Sequence, residues 1–248
     1  MPGVPADYHA RIRDIEGRHW WHAGMQRIAT ALLGDRLLAP SQRLLDAGCG
    51  SGGFLRWALE HWPVSSASGV DISEAAIDLA VKQVPAAELS VAPMRALPFE
   101  SETFDLVATH DVLQHLESAE IDESVAELAR VLRPGGALFV RTNGGGRARA
   151  ERSDWRVYDA GSLTALLDRA GLRLERITHA NMLPSFWAGA RGRAPRAPTE
   201  TSHGVPTVPG RSAQAVCGCL LAAEARYLRP PGRSLPYGHT LLAVCGRG

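Results

Sequence analysis

The sequence lacks most of what would staple, anchor or globally charge a protein. Its 248 residues hold four cysteines, Cys49, Cys217, Cys219 and Cys245. Four thiols at these spacings make no disulfide framework, and no Cys/His pair stands at zinc spacing beside Cys217 and Cys219, so no metal site is expected. No apolar run approaches the roughly 18–20 residues that cross a bilayer, so no membrane partner is expected. The opening residues, MPGVPADYHA, have no basic start followed by an apolar core. The expectation is therefore a chain without a secretory leader, in a reducing cytoplasm. A formal net charge of +1 argues against a globally basic nucleic-acid binder and against an acidic solvating protein. With 45% hydrophobic and 21% charged residues the composition suits a packed core, not wholesale disorder.

Charge is small in sum but uneven along the chain. Residues 1–146 carry 12 Lys+Arg against 19 Asp+Glu, a net of −7, and residues 147–248 carry 15 Arg against 7 Asp+Glu, a net of +8. Basic residues are 26 Arg and the single Lys82. Guanidinium groups can grip carboxylates or phosphates with two parallel hydrogen bonds. The split suggests a first part that handles one ligand and a later part that meets another, with an anionic partner the first to test.

Periodicity predicts alternating strands and helices. Residues 1–40 read as helical, with Ile12, Ile15, Trp20, Trp21, Ile28, Leu32 and Leu33 at near-helical spacing, until Pro40-Ser41 breaks the pattern. Leu44-Leu45 end in Asp46, a glycine-rich turn follows, and Phe54 to Leu59 resume a helix. This is the entry to a βαβ unit. Further strands are predicted at 67–70, 88–91, 104–109, 137–141, 172–178 and 240–244. Helices are predicted from Ser73, a good N-cap, through Lys82, and at 121–132, 162–170 and about 213–228. Arg133-Pro134-Gly135-Gly136 reads as a helix stop and turn. Residues 189–212, rich in Gly, Pro, Arg, Ser and Thr, are expected to form a mobile loop. The fold class is α/β, a doubly wound, mostly parallel sheet covered on both faces.

The chemistry concentrates in Leu44-Leu45-Asp46-Ala47-Gly48-Cys49-Gly50-Ser51-Gly52. Gly48, Gly50 and Gly53 fit G-x-G-x-x-G, a weak signal alone. Asp46 before the turn sharpens it, because a pyrophosphate gains nothing from a carboxylate aimed at it, whereas a cationic amino-acid moiety does. A second acid, Asp71 in Gly69-Val70-Asp71-Ile72-Ser73, ends the second strand, where a carboxylate can accept both hydroxyls of a ribose.

With those residues stand Leu97-Pro98-Phe99, Phe104-Asp105-Leu106-Val107, Asp111-Val112-Leu113-Gln114-His115-Leu116 and LARVLRPGG at 128–136. In this order, over residues 40–180, the sequence resembles the class I S-adenosylmethionine-dependent methyltransferases of small-molecule type. His19-Trp20-Trp21-His22-Ala23-Gly24-Met25-Gln26-Arg27 resembles a bacterial subgroup with a paired-Trp N-terminal helix, which residues 152–158 and 181–191 match more loosely. The resemblance implies a seven-stranded Rossmann-like sheet. It divides the chain into a helical lid at 1–40, a cofactor-binding core at 41–180, an acceptor-side insertion at 181–235 and a final core strand at 236–248. It implies S-adenosylmethionine as cofactor and S-adenosylhomocysteine as product. Asp46 and the backbone at Ala47, Gly48 and Gly50 would hold the methionine part, with Cys49 in the same cofactor-binding turn. Asp71 would bind the ribose and Ile72 the adenine. The family usually places an acid where this chain has Pro93. Side-chain recognition of the adenine is lost there, leaving the Met94 N–H and neighbouring Arg95. Thr109 and His110 would line the methyl end, with Trp21 closing over it and Arg27 pairing with the cofactor carboxylate.

In-line attack on a sulfonium methyl needs alignment first, and a base only if the nucleophile starts protonated. His110 and His115 are the catalytic candidates, and His22 could reach in from the lid. His179, His203 and His239 read as surface or loop histidines. Phe186 and Trp187 could line the acceptor pocket. The arginines of 147–156 with Arg191, Arg193 and Arg196 read as solvated loop charge, or as capture of an anionic acceptor. The expected partner is a small-molecule acceptor, not nucleic acid, met by a monomer or homodimer. Its identity, and methylation at O, N or C, stay open. The competing readings are a nicotinamide-dependent oxidoreductase, an RNA or protein methyltransferase, and a cofactor binder without methyl transfer.

Overall fold

A computed structural model describes residues 8–40, 42–144, 156–190 and 208–248. The expected loop at 189–212 and the arginines at 147, 149, 152, 191, 193 and 196 lie wholly or largely outside them, as does His203.

Seven strands form one sheet: β1 (Gln42–Ala47), β2 (Val64–Asp71), β3 (Glu88–Val91), β4 (Phe104–His110), β5 (Leu132–Asn143), β6 (Leu172–Ala180) and β7 (Thr240–Arg247). Their order is β3-β2-β1-β4-β5-β7-β6. The pairs among β1 to β5 are parallel, whereas β7 runs antiparallel between β5 and β6. The five parallel strands therefore end along one edge, where open α/β sheets bind ligands.

Both faces are covered, as a parallel sheet requires. On one face α2 (Trp20–Leu33), α3 (Gly53–His61) and α8 (Arg211–Leu228) pack on Leu44, Leu106, Phe139 and Val244. On the other, α5 (Ile121–Val131) and α6 (Ala160–Arg169) cover Leu45, Val107, Leu138 and Val140. Along each strand neighbouring residues point to opposite faces, so Leu44 and Leu45 enter different cores. The remaining helices are α1 (Tyr8–Glu16), α4 (Glu74–Gln83) and α7 (Met182–Ala190).

Local chemistry explains most boundaries. Ser73 caps α4 by accepting the Ala76 N–H, and Asp159 and Ser162 form a reciprocal capping box on α6. The single helical stretch expected before residue 40 is two helices and a short 3₁₀ turn, Gly34–Leu38, broken first at Gly17-Arg18. There is no turn between α5 and β5. The helix passes directly into the strand at Leu132, with Gly135 at φ 77°.

Helix α7 was not legible as a helix, because its cap is tertiary. The Glu224 carboxylate on α8, 1% exposed, accepts the N–H groups of Asn181 and Leu183. Arg176 of β6 plays the mirror role. Its guanidinium donates to the carbonyls of Ala31 and Leu32 at the end of α2 and of Leu228 at the end of α8.

Helices α2 and α8 cross at Gly24, where a Cβ would lie 2.1 Å from Leu221 Cδ1. Alanine there gains about 1 kcal/mol of helix propensity but overpacks the crossing at about 1–3 kcal/mol. Gly24→Ala should therefore lower the melting temperature. Gly218→Ala on α8, with nothing within 4 Å of its Cβ, should raise stability by roughly 0.5–1 kcal/mol. Thermal denaturation decides, at about 2–4 °C per kcal/mol for a chain of this size. Equal shifts of the same sign would refute the close approach.

Candidate functional site

The parallel strand ends open on a cleft of about 730 Å³, within the usual range of ligand pockets. Its floor is the turn after β1. Gly48, Gly50 and Gly52 all take positive φ (87°, 54° and 84°), which L side chains rarely adopt. A Cβ at Gly48 would collide with Val112 Cγ2 at 2.2 Å, whereas one at Gly50 meets nothing within 4 Å, so a ligand can lie against that backbone.

Asp71 ends β2 beside the turn. Its Oδ2 accepts the Gly50 N–H and its Oδ1 accepts the Ser73 N–H, both at 2.9 Å. Each carboxylate oxygen keeps a second lone pair. Ile72, 59% exposed, lines the cleft as an apolar platform next to Pro93, Met94 and Arg95. Arg95 also pairs with Glu120 at 2.9 Å. These residues fit an adenosine group: a diol acceptor, an apolar face and a bare backbone.

Asp46, 1% exposed, ends β1 with Oδ1 3.4 Å from His110 Nδ1. The His110 ring packs on Phe54 and Phe139 at centroid distances of 4.1 and 5.4 Å. Burial holds its pKa down, partly opposed by the Asp46 hydrogen bond, so the ring is neutral at pH 7. Since a carboxylate only accepts, it fixes the proton on Nδ1 and leaves Nε2 as the basic nitrogen. His115, in the 3₁₀ turn Leu113–His115, also lines the cleft and is lowered by burial. His22 of α2 is pulled down to about 3 by burial, then by Arg141 and His19. Cys49 lies in the turn with its thiol pushed up by burial and by Asp46 and Asp71, so it is no nucleophile.

Several expected residues sit elsewhere. Arg27 is exposed and outside the cleft. On α2 the i, i+3, i+4 set His19, His22, Ala23 and Gln26 faces the cleft, and residue 27 is turned about 100° away from residue 26. Thr109 is fully buried, because its neighbour His110 points to the cleft face and strand alternation turns Thr109 away. The side chain of Ala47, a residue expected to act through its backbone, is buried in the α5 and α6 core. Trp21 lines the cleft, with its ring 4.7 Å from the Arg141 guanidinium. Phe186 is 62% exposed against Tyr237 and does not line the cleft, nor does Trp187. His239, in the loop just before β7 as expected, does line it.

The sequence reading missed Glu16, Asp111, Arg141, Asn143 and Asn181, all of which line the cleft. Arg141 and Asn143 are the polar end of an otherwise apolar strand, the same signal that exposed Asp46 and Asp71. Glu16 has no such signal. It reaches the turn only because α1 folds over it, and its carboxylate, raised by burial, accepts from Ser51 Oγ at 3.4 Å.

A histidine held neutral in the folded state makes the unfolded chain the stronger proton binder, so stability is lost as pH falls below the unfolded imidazole value. Going from pH 7 to 5, His22 should cost up to about 2 kcal/mol. The melting temperature of His22→Gln should fall less over that interval than the wild type. Parallel pH dependence of the two proteins would sink the assignment.

Among the described residues no group of three or more His, Cys, Asp and Glu could hold a metal, and no helix is long and apolar enough to cross a membrane. Residues 45–140 match the methyltransferase domain family. A malonyl-[acyl-carrier protein] O-methyltransferase of Methylococcus capsulatus is 32% identical over 137 residues, 51% of this chain and 49% of that protein. The chain spans about half the length of the curated relatives of that name. Among solved structures, a TehB-like S-adenosylmethionine-dependent methyltransferase from Corynebacterium glutamicum aligns with TM-score 0.58 at 18% identity, covering 98% of this chain and 97% of that one. The [4+2]-cyclase SpnF aligns with TM-score 0.60 at 21% identity, covering 93% and 83%. The strand order, the acid before the glycine turn and the matched domain agree: residues 45–140 are a methyltransferase domain, in the fold of the class I S-adenosylmethionine-dependent enzymes.

Proposed function

We propose that the chain transfers a methyl group from S-adenosylmethionine to a small-molecule acceptor. One observation carries the reading. The cleft that begins at Asp71 and the glycine turn runs without a break past Asp46 to His110 and on to Arg141, Asn143 and Asn181, so a cofactor end and an acceptor end share one space. The cyclase of similar fold shows why the fold alone does not carry it.

In this reading Asp71 holds the ribose hydroxyls, Ile72 packs on the adenine, and Asp46 with the bare backbone at Gly48 and Gly50 holds the charged amino-acid end. When bound, S-adenosylmethionine supplies an electrophilic methyl on a sulfonium with a neutral thioether as leaving group. His110 receives the acceptor's proton at Nε2 where the nucleophile starts protonated, oriented by Asp46. A neutral base at pH 7 is what this task needs. His115 is the second candidate, half-buried at the cleft wall. Trp21 and the N-terminal helices close the acceptor end. The expected anionic acceptor draws support from the malonyl relatives, whose printed substrate is an acidic acyl group. The later, positive part of the chain adds nothing visible to it, since no arginine after Arg141 lines the cleft among the described residues.

Two measurements test the reading. Isothermal titration should show binding of S-adenosylmethionine and none of NAD, and Asp71→Ala should weaken it about 10- to 100-fold, the size of a charge-assisted hydrogen bond of roughly 1.5–3 kcal/mol. Unchanged affinity in that variant would remove Asp71 from the ribose. With an acceptor found by a mass-spectrometric screen for products heavier by one methylene, His110→Ala should lower kcat by about 10²–10⁴-fold with cofactor affinity retained. A full-rate His110→Ala enzyme would leave the acceptor unprotonated at the start or hand the role to His115.

A further inference from the structure

Among the described arginines that line the cleft, Arg141 is the largely buried one, Arg56 and Arg95 being exposed, and the methyl-transfer reading gives it no task. It ends β5 directly beside His110 on β4, the two Cα positions being register partners. Its Nε and Nη2 both donate to Asp111 Oδ2, at 3.0 and 2.7 Å, and Trp21 covers its flat face. The guanidinium is thus held in one orientation, 13% exposed. Nη1 has no hydrogen-bond partner among the described residues.

Other buried guanidinium groups of this fold behave differently. Arg176 turns Nη1 and Nη2 onto helix-end carbonyls, and Arg247 donates Nη1 to the carbonyls of Ala129, Arg130 and Leu132. Arg141 instead leaves an amino edge at the cleft. The anchor that keeps it there is strained. Asp111 sits at φ 57°, an unusual conformation for a side chain of this kind, and its N–H is tied to the Arg141 carbonyl at 2.8 Å.

A second donor stands nearby. Asn143 lies two residues along β5, hence on the same face of the strand, and also lines the cleft. Its Nδ2 is buried with no partner, although its backbone N–H is satisfied by Gln114 Oε1 at 3.2 Å. Asn143 Nδ2 is a buried donor left unmade, which is costly, and Arg141 turns its amino edge to the cleft from the same strand face, so together they mark a place where an acceptor with two oxygens belongs. The charge sign agrees, since the Arg141 charge adds to burial, the larger cause, in lowering the pKa values of both His22 and His110.

We propose that Arg141 and Asn143 form the docking point for a carboxylate on the methyl acceptor, held beside His110 with Trp21 and Phe54 as apolar walls. The inference rests on the methyl-transfer reading and adds the substrate class, a small molecule whose carboxylate fixes its orientation. It concerns binding only, and no bond to the carboxylate is made or broken there.

The cofactor carries a carboxylate too, so the test separates the two sources. Isothermal titration of the full chain with S-adenosylhomocysteine and with methylthioadenosine, which lacks the amino acid, reads the cofactor end. Ligand-observed NMR on the S-adenosylhomocysteine-loaded protein reads the acceptor end, with phenylacetate and succinate each compared with its amide. The carboxylates should bind at least tenfold more tightly than the amides. Arg141→Lys, which keeps the charge but not the fork, should abolish that preference, and Asn143→Ala should cut it several-fold. Both variants should keep S-adenosylhomocysteine affinity within twofold, which also shows that they fold. No preference for carboxylates in the wild type overturns the proposal while leaving methyl transfer intact. Loss of S-adenosylhomocysteine but not methylthioadenosine affinity in Arg141→Lys overturns it as well, by giving the carboxylate to the cofactor. A wild type that binds neither nucleoside refutes the underlying methyl-transfer reading, and the docking point falls with it.

Discussion

The Asp71 carboxylate holds the backbone of the β1–α3 turn by the Gly50 N–H and its own loop by the Ser73 N–H. Much else depends on that clasp. It keeps the chain flat across the ends of β1 and β2, where the turn also hangs from the Val70 carbonyl through the Gly48 and Cys49 N–H groups, at 2.8 and 2.9 Å. Packing leaves the turn no alternative. A Cβ at Gly69 would fall within 3 Å of Leu55, Leu89 and the Cys49 sulfur, so strand β2, helix α3 and the turn lock one another in place. The cleft floor is therefore rigid, and the groups that reach over it come from other parts of the chain.

Those groups show how burial sets chemistry. The carboxylates Glu16, Asp46, Asp71 and Asp111 surround the floor, and of the arginines that line the cleft among the described residues Arg141 is largely buried whereas Arg56 and Arg95 are exposed. The histidines among them stay neutral because desolvation outweighs the nearby negative charge, as the causes at His110 and His115 show. A neutral imidazole between acids is suited to accept a proton and unsuited to bind an anion. Within the cleft interior that second task falls to Arg141.

The arginines also revise the meaning of the charge split. The net of +8 over residues 147–248 suggested a basic acceptor half. In the folded chain Arg169 meets Asp122, Arg176 ends two helices, and Arg247 binds the carbonyls where α5 passes into β5. These guanidinium groups tie helices to one another or to the sheet, and the described ones stay out of the cleft. Local sequence shows how many charges there are but not what each one faces.

Strand ends were readable because a parallel sheet buried on both faces needs apolar runs, and each run stops at a polar residue where the ligand edge begins. Asp46, Asp71 and His110 follow from that rule, and Arg141 and Asn143 obey it as well. The glycines of the turn announce a backbone that side chains cannot follow. Helix α7 was hidden because its cap, Glu224, is 41 residues from Leu183 in sequence. The side chain at Arg27 was misplaced because a rotation of about 100° per residue separates a cleft face from solvent, and only packing against α8 fixes the helix's rotation. The sequence by itself determined the alternating fold, the acid-glycine turn and the cofactor edge, since these depend on local pattern and backbone stereochemistry. Only the tertiary structure decided which groups meet across the cleft, from Glu16 on the turn to Trp21 on Arg141. Those contacts join segments far apart in the chain, and no local rule relates them.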